Sequence, residues 1–276
     1  MVHNVVKNLR NVLFQRVPGL QPSVAALARR GLVPRAVWSR LQPVGDTVLR
    51  APGGERFIYR SQPGDMFARN VVWAGFRCWE RSSVEYVAAT CDRIRGFWDV
   101  GAHTGVYSLM VAAVNPAVRI RAFEPNPIVV PMLLGNLDAN GLPGTIVADV
   151  ALSDRTGVAC LEIPFDVTAA EVASQGVAIR TIRGDDVDDG SPVDLIKIDV
   201  EGHELEVLRG MLGLLKRCRP ALVIEVGDDD RLDAVESLLA SIGYSSCSYF
   251  GGRGLVPTEL RFERESRCSN FLFLAP

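Results

Sequence analysis

Three short stretches of this 276-residue chain carry residue types whose spacing could do chemistry. The first is Asp99-Val100-Gly101-Ala102-His103-Thr104-Gly105. Gly101 and Gly105 let a backbone loop approach a ligand closely and take positive φ. The loop has neither GxGxxG nor GxxxxGK[ST], so pyrophosphate cradling and nucleoside triphosphate hydrolysis have little support. The second stretch is Phe123-Glu124-Pro125-Asn126. A carboxylate at a strand end can accept hydrogen bonds from a ribose diol, although a solvated strand end is the plainer alternative. Together the two stretches point to an adenosine-containing ligand without a pyrophosphate. The third is Asp199-Val200-Glu201-Gly202-His203-Glu204, with Glu206 just beyond. An imidazole beside carboxylates can act as a general base near neutral pH. A capping box and a metal site are the competing readings. Asp199, Glu225 and Asp228 lie after two neighbouring strands and offer oxygen ligands of the kind Mg²⁺ or Mn²⁺ takes. Lys197, flanked by isoleucines, must find a partner inside its strand.

These stretches need elements to hold them. From Phe97 onward, short apolar runs alternate with helical ones. FWDV is a strand, GAHTG a loop and VYSLMVAAV a helix. VRIRAFEP is a strand ending at Glu124, and PIVVPMLLGNLDAN is a helix closed by Asn140-Gly141. TIVADVAL, DLIKIDV, ALVIEV and NFLFLAP follow as strands, with helices over ELEVLRGMLGLLKR and RLDAVESLLASIG. Such alternation with short connections predicts an open, mostly parallel α/β sheet. In these sheets the ligand lies beyond the carboxyl ends of the strands. That places Asp99–Gly105, Glu124–Asn126, Asp149–Ser153, Asp199–Glu204 and Glu225–Asp228 together. Before this region, residues 47–60 read as a hairpin turning at Pro52-Gly53-Gly54, and Ser23–Arg30 and Met66–Arg93 as largely helical.

Thirty basic against 32 acidic residues leave no overall attraction to nucleic acid. Residues 1–60 carry ten basic and two acidic groups, so this extension meets an acidic body. Its prolines and arginines suit a cap over an acceptor or a homodimer arm, and its apolar content is too low for a core of its own. Six scattered cysteines without a CxxC pair read as free thiols of a reducing, cytoplasmic compartment. No run of 18 apolar residues is present, so no membrane span is expected.

FWDVGAHTG, AFEPNP, VALSD, DLIKIDVEGHELEVLRG and ALVIEV, in this order, resemble the FkbM family of S-adenosylmethionine-dependent methyltransferases. The resemblance covers about residues 60–276 and is most specific at IDVEGHELEVLRG. It implies a class I, Rossmann-like fold, with a mostly parallel seven-stranded sheet, helices on both faces and a helical and hairpin extension over 1–60. It also implies that Asp99, Gly101, Ala102, His103 and Gly105 hold the methionine and ribose side of S-adenosylmethionine, that Glu124 and Pro125 hold the ribose, and that Asp149, Val150 and Ala151 face the adenine. His103 stands where the family commonly has a small polar residue. The implied reaction is methyl transfer to a hydroxyl of a carbohydrate or glycosylated small molecule. A polyketide or peptide oxygen or nitrogen is the runner-up. A hydroxyl must lose its proton as the new bond forms. His203, supported by a neighbouring carboxylate such as Asp199 or Glu201, or Asp199 itself, or a cation on Asp199, Glu225 and Asp228, would see to that. A nicotinamide oxidoreductase is disfavoured by the missing GxGxxG. A nucleic-acid methyltransferase is disfavoured by the absence of DPPY, NPPY and an aromatic-interleaved basic groove.

Overall fold

Residues 17, 19–63, 65–77, 79–142, 144–163, 170–173, 175–251, 254–257 and 270–276 are described by a computed structural model. Helix α1 (Leu20–Arg29) and the single turn α2 (Arg35–Trp38) lead into a hairpin of β1 (Gly45–Arg50) and β2 (Arg56–Ser61). Helices α3 (Ala68–Ala74) and α4 (Arg81–Thr90) follow, each continued by a 3₁₀ turn. Then come β3 (Gly96–Val100), α5 (Val106–Val114), β4 (Arg119–Phe123), α6 (Val130–Ala139) and β5 (Ile146–Ala148). Four strands intervene: β6 (Ala151–Leu152), β7 (Gly157–Glu162), β8 (Glu171–Ala173) and β9 (Val177–Ile182). The chain continues through α7 (Gly184–Val187), β10 (Leu195–Ile198), α8 (Glu204–Gly210), α9 (Leu212–Cys218), β11 (Ala221–Glu225) and α10 (Asp229–Ser241). Strands β12 (Ser246–Gly251), β13 (Gly254–Pro257) and β14 (Asn270–Leu274) complete it.

The main sheet runs β13-β12-β14-β11-β10-β3-β4-β5. Strands β11, β10, β3, β4 and β5 are parallel, whereas β14 pairs antiparallel with both β11 and β12. This is an eight-stranded mixed sheet among the described residues, where seven mostly parallel strands were expected. The additional strand is β13, which turns back on β12. The central strands β3 and β10 are buried at every position, as parallel strands covered on both faces must be. One apolar core packs α4, α5 and α6 against one face, and a second packs α8, α9 and α10 against the other.

Two expected elements divide. The strand expected over 145–152 stops at Ala148, and β6 restarts at Ala151 in a separate four-stranded sheet ordered β6-β9-β7-β8. Buried Val150 and exposed Asp149 form the corner between the two sheets. The long helix expected after β10 breaks at Met211, whose φ is −126°. Gly210 there lies so close to the Ser153 carbonyl that a Cβ would sit 1.8 Å from the oxygen.

The N-terminal segment shares the first core, through Trp38, Leu49, Phe57 and Tyr59. The free edge of β2 is covered by two asparagines of α6 and its C-terminus. Ile58 N donates to Asn140 Oδ1 at 2.7 Å, and Arg60 N donates to Asn136 Oδ1 at 2.6 Å. Side-chain amides thus complete hydrogen bonds that another strand would otherwise make. Cys91, Cys160, Cys218 and Cys247 are free thiols, while Cys78, Cys268 and residues 1–16 of the basic extension lie outside the described residues. Among the described residues, no helix is long and apolar enough to cross a membrane.

Candidate active site

The ends of β3, β4, β10 and β11 open into one cavity of about 370 Å³, in the size range of small-molecule sites. Its floor is the loop after β3. Gly101 N and Ala102 N both donate to the Phe123 carbonyl, at 2.9 and 3.0 Å, tying the loop to the end of β4. Gly101 takes φ 79°, and a Cβ there would come within 1.7 Å of the Asp199 carbonyl oxygen. Only glycine lets β3 and β10 meet at this point. Glu124 closes the loop from the other side. Its Oε2 accepts from His103 N and its Oε1 from Asn126 N, each at 2.8 Å. Asp99 accepts from both the amide and the hydroxyl of Ser108, at 3.0 and 2.6 Å, which anchors the first turn of α5. Burial raises the carboxyl of Asp99 to about 6 and that of Glu124 to about 7, against the hydrogen bonds that favour their charged forms.

The wall opposite is built around Lys197, which is fully buried. Its ammonium lies 3.5 Å from Asp199 Oδ2, 3.7 Å from Glu80 Oε2, 4.0 Å from Glu225 Oε2 and 2.9 Å from Asn270 Oδ1. Burial works against this charge, but the carboxylates outweigh it and hold the ammonium above its usual pKa. Glu80 is lifted to about 7 by burial first, with Asp199 and Glu225 adding repulsion, although Lys197 opposes the rise. The Tyr107 hydroxyl donates to Glu80 at 2.8 Å. Glu201 also rises to about 7, through burial and then the neighbouring Asp199.

His203 stands just before α8 and lines the same cavity. Its Nε2 is 2.9 Å from Ser153 Oγ, and its Nδ1 is 3.6 Å from Glu206 Oε2. Burial lowers its pKa, so the ring is neutral at pH 7 and able to take a proton. Glu80, His103 and Glu201 have φ of 41°, 49° and 47°. Three of the four non-glycine residues with positive φ among the described residues therefore line this cavity, and backbone strain of this kind gathers where function over-determines the geometry.

Most residues expected from the sequence meet here. Asp99, Gly101, Ala102, His103, Glu124, Pro125, Val150, Ala151, Asp199, Glu201, His203 and Glu225 all line the cavity, and Gly105 caps α5 behind it at φ 83°. Two do not. Asp149 pairs with Arg180 at the surface. Asp228 caps α10, accepting from Arg231 N at 2.8 Å. The third carboxylate beside Asp199 and Glu225 is instead Glu80, and one oxygen from each of the three falls within 4.8 Å of the others. Lys197 already supplies positive charge to all three, so a divalent cation added among them would face an ammonium at close range. Sequence reasoning missed Glu80, Phe67, Trp79 and Tyr107 as cavity residues. Glu80 precedes the first strand of the main sheet, in a stretch with no motif. Their neighbour Lys197 was signalled by the sequence, which sets a cation in an apolar strand.

The cavity suits a positively charged adenosyl cofactor. Six carboxylates line it, those of Glu80, Asp99, Glu124, Asp199, Glu201 and Glu225, with Lys197 as the lysine among them. Such a wall favours a sulfonium and an ammonium and disfavours a pyrophosphate. Asn126 Nδ2 is buried at the wall with its hydrogen-bonding capacity unspent.

Comparison with known proteins agrees with this chemistry. The family model described as "Methyltransferase FkbM domain" matches residues 99–246, more than half of the chain. The chain is similar to the hexuronic acid methyltransferase AglP of Haloferax volcanii, at 34% identity over 49% of this chain and 57% of that protein. It is similar to the methyltransferase sdnD of Sordaria araneosa, at 31% identity over 41% of this chain and 59% of that protein. Against the 31-O-demethyl-FK506 methyltransferase FkbM of Streptomyces tacrolimicus, identity is 27% over 74% of this chain and 87% of that protein. The matches to the first two relatives thus span under two thirds of their lengths.

Proposed function

Because the chain belongs to the FkbM family of S-adenosylmethionine-dependent methyltransferases, we propose that it methylates a hydroxyl oxygen of a sugar or glycosylated small molecule. The observation that carries this reading is the carboxylate-rich wall beyond the cofactor loop. Carboxylates accept hydrogen bonds from hydroxyls, and Asp199, Glu201 and Glu225 offer several such acceptors within one cavity. The same wall sets a preference within sugars. It repels an anionic acceptor and favours a neutral or basic one, so a neutral sugar is expected over a uronate, even though one relative is named for hexuronic acid.

S-adenosylmethionine supplies an already activated methyl on a positive sulfur. What remains for the protein is alignment and proton removal. In this reading Glu124 and the loop from Gly101 to Gly105 hold the cofactor's ribose and methionine side. The neutral imidazole of His203 takes the acceptor's proton at Nε2, where the hydroxyl replaces Ser153, and Glu206 stabilises the imidazolium from the Nδ1 side. Asp199 is the weaker candidate for the base, since it is already engaged by Lys197. The described part of residues 1–60 is read as part of the catalytic unit, because β2 packs on α6 and its Tyr59 hydroxyl bonds Thr104 of the cofactor loop.

The test is a panel of acceptors incubated with S-adenosylmethionine carrying a deuterated methyl group. The panel holds neutral sugars, uronates, and polyketide and peptide alcohols and amines. The label is expected on a sugar oxygen, with neutral sugars ahead of uronates. Label solely on a polyketide or peptide acceptor, or on nitrogen, overturns the sugar assignment.

A further inference from the structure

We propose that Tyr59, in the N-terminal hairpin, is a positioning residue that couples the cofactor loop to the cavity-lining segment that runs from Asp65 towards Glu80. This goes beyond the reading above and requires only the cofactor, whatever the acceptor proves to be. The Tyr59 side chain is fully buried. Its hydroxyl lies 2.9 Å from Asp65 Oδ2 and 3.0 Å from Thr104 Oγ1. A hydroxyl has one proton to give, so it donates to the carboxylate and accepts from the threonine.

Each partner leads to a different wall. Thr104 sits in the cofactor loop between His103 and Gly105, both at positive φ, and is 1% exposed. Its carbonyl accepts from Asn136 Nδ2 at 2.9 Å, and Asn136 Oδ1 in turn holds Arg60 N of the hairpin. Asp65 is also 1% exposed. Its Oδ1 accepts from Ala68 N at 2.8 Å, fixing the first turn of α3, and its carbonyl accepts from Gln42 Nε2 at 2.7 Å. Phe67, Asn70, Trp79 and Glu80 come from this part of the chain and line the cavity from beside the loop to the Lys197 wall. The Phe67 ring meets the His103 ring at 5.3 Å and the Trp79 ring at 4.9 Å. One phenolic oxygen therefore joins the backbone of the cofactor loop to the segment that carries Glu80 of the Lys197 wall. In a buried network of this kind, removing one member weakens its neighbours as well.

The experiment uses the full chain and S-adenosylhomocysteine as the probe, with calorimetry for affinity and hydrogen exchange read by mass spectrometry. In the wild type, the probe is expected to slow exchange both in residues 101–105 and in residues 65–77. Tyr59→Phe keeps the ring and removes the hydroxyl. It is expected to weaken probe affinity about three- to tenfold, the scale of one net hydrogen bond, and to abolish the added protection over 65–77. Thr104→Val should behave the same way, and Thr104→Ser, which restores the hydroxyl, should return both readouts to wild type. If Tyr59→Phe does not fold, the Thr104 pair decides alone. A merely structural Tyr59 would lower the melting temperature but leave affinity and the 65–77 protection at wild-type values, and that result overturns the proposal. A wild type that does not bind the probe at all would instead overturn the cofactor assignment.

Discussion

The Lys197 ammonium lies 3.5 Å from Asp199 Oδ2, at the centre of a wall that also holds Glu80 and Glu225. One buried cation thus keeps three carboxylates together. Its removal should be felt through their repulsion. Lys197→Met is expected to cost about 3–5 kcal/mol, the scale of breaking a buried ion pair from one side. The cost depends on pH. Without Lys197, which opposes the rise, the Glu80 carboxyl is pushed further above its ordinary value. A raised acid contributes stability that is present below its unfolded value and is lost as pH climbs through its folded one. Glu80 already sits at about 7 in the wild type, so both proteins lose its contribution alike up to that point, and the deficit of the variant should widen as pH rises above about 7. Denaturant melts at several pH values check this, and a deficit that does not change with pH would contradict it.

Gly101→Ala tests the contact between the ends of β3 and β10. The added methyl would lie 1.7 Å from the Asp199 carbonyl oxygen, at a φ of 79° that alanine rarely adopts. Clash and strain together are expected to destabilise the fold by more than about 2 kcal/mol and to abolish cofactor binding. Thermal unfolding with and without S-adenosylhomocysteine measures both effects.

His203→Ala addresses the proton. At saturating cofactor, turnover should fall by roughly 10²–10⁴-fold, the usual worth of a positioned base. Because burial lowers the His203 pKa, the wild-type rate should climb with pH through a value below 6.5, and the variant should lose that limb. Chelators should leave wild-type turnover unchanged. Activity abolished by chelation and restored by Mg²⁺ or Mn²⁺, with Asp199→Asn the more damaging change, would assign the role to a cation instead.

Glu201→Gln removes a carboxylate whose folded pKa is about 7 against an ordinary 4.5. The wild type therefore loses stability from this group as pH rises across that window, and the variant does not. The melting temperature of the variant relative to wild type should increase between pH 4.5 and pH 7.5. A relative value that is flat across the range would show that the fold does not hold the Glu201 carboxyl above its ordinary pKa.

Much of this arrangement could be read from the chain, and the limits have physical causes. FWDV followed by a glycine loop and an apolar helix announces β3 and α5 because hydrophobic period and glycine placement are local signals. Glu124 and Asp199 were legible because a parallel sheet sends its strand ends to one side. The corner at Asp149 was not, since buried Val150 continues the apolar pattern while the backbone changes sheet. The four-stranded sheet from β6 to β9 is made of short, half-exposed strands with weak alternation. Glu80 was invisible because nothing near it in sequence marks it. Its importance arises only when Lys197 arrives from the centre of the sheet. Asp228 was misassigned by proximity to a strand end, where capping α10 competes for the same carboxylate.

The central claim is that the cavity at the strand ends binds an adenosyl cofactor through the loop that Glu124 holds. Calorimetric titration of S-adenosylhomocysteine and of NAD, into the wild type and into Glu124→Ala, tests it most directly. Glu124 receives two backbone N–H groups, from His103 and Asn126, so the alanine variant loses the hydrogen bonds that shape the loop as well as any bond to the ribose. The account predicts single-site binding of S-adenosylhomocysteine to the wild type, no comparable binding of NAD, and an affinity about 10- to 100-fold weaker in the variant, at roughly 1.5–3 kcal/mol for a charge-assisted hydrogen bond. Equal or tighter binding of NAD, or an unchanged affinity in Glu124→Ala, would contradict it.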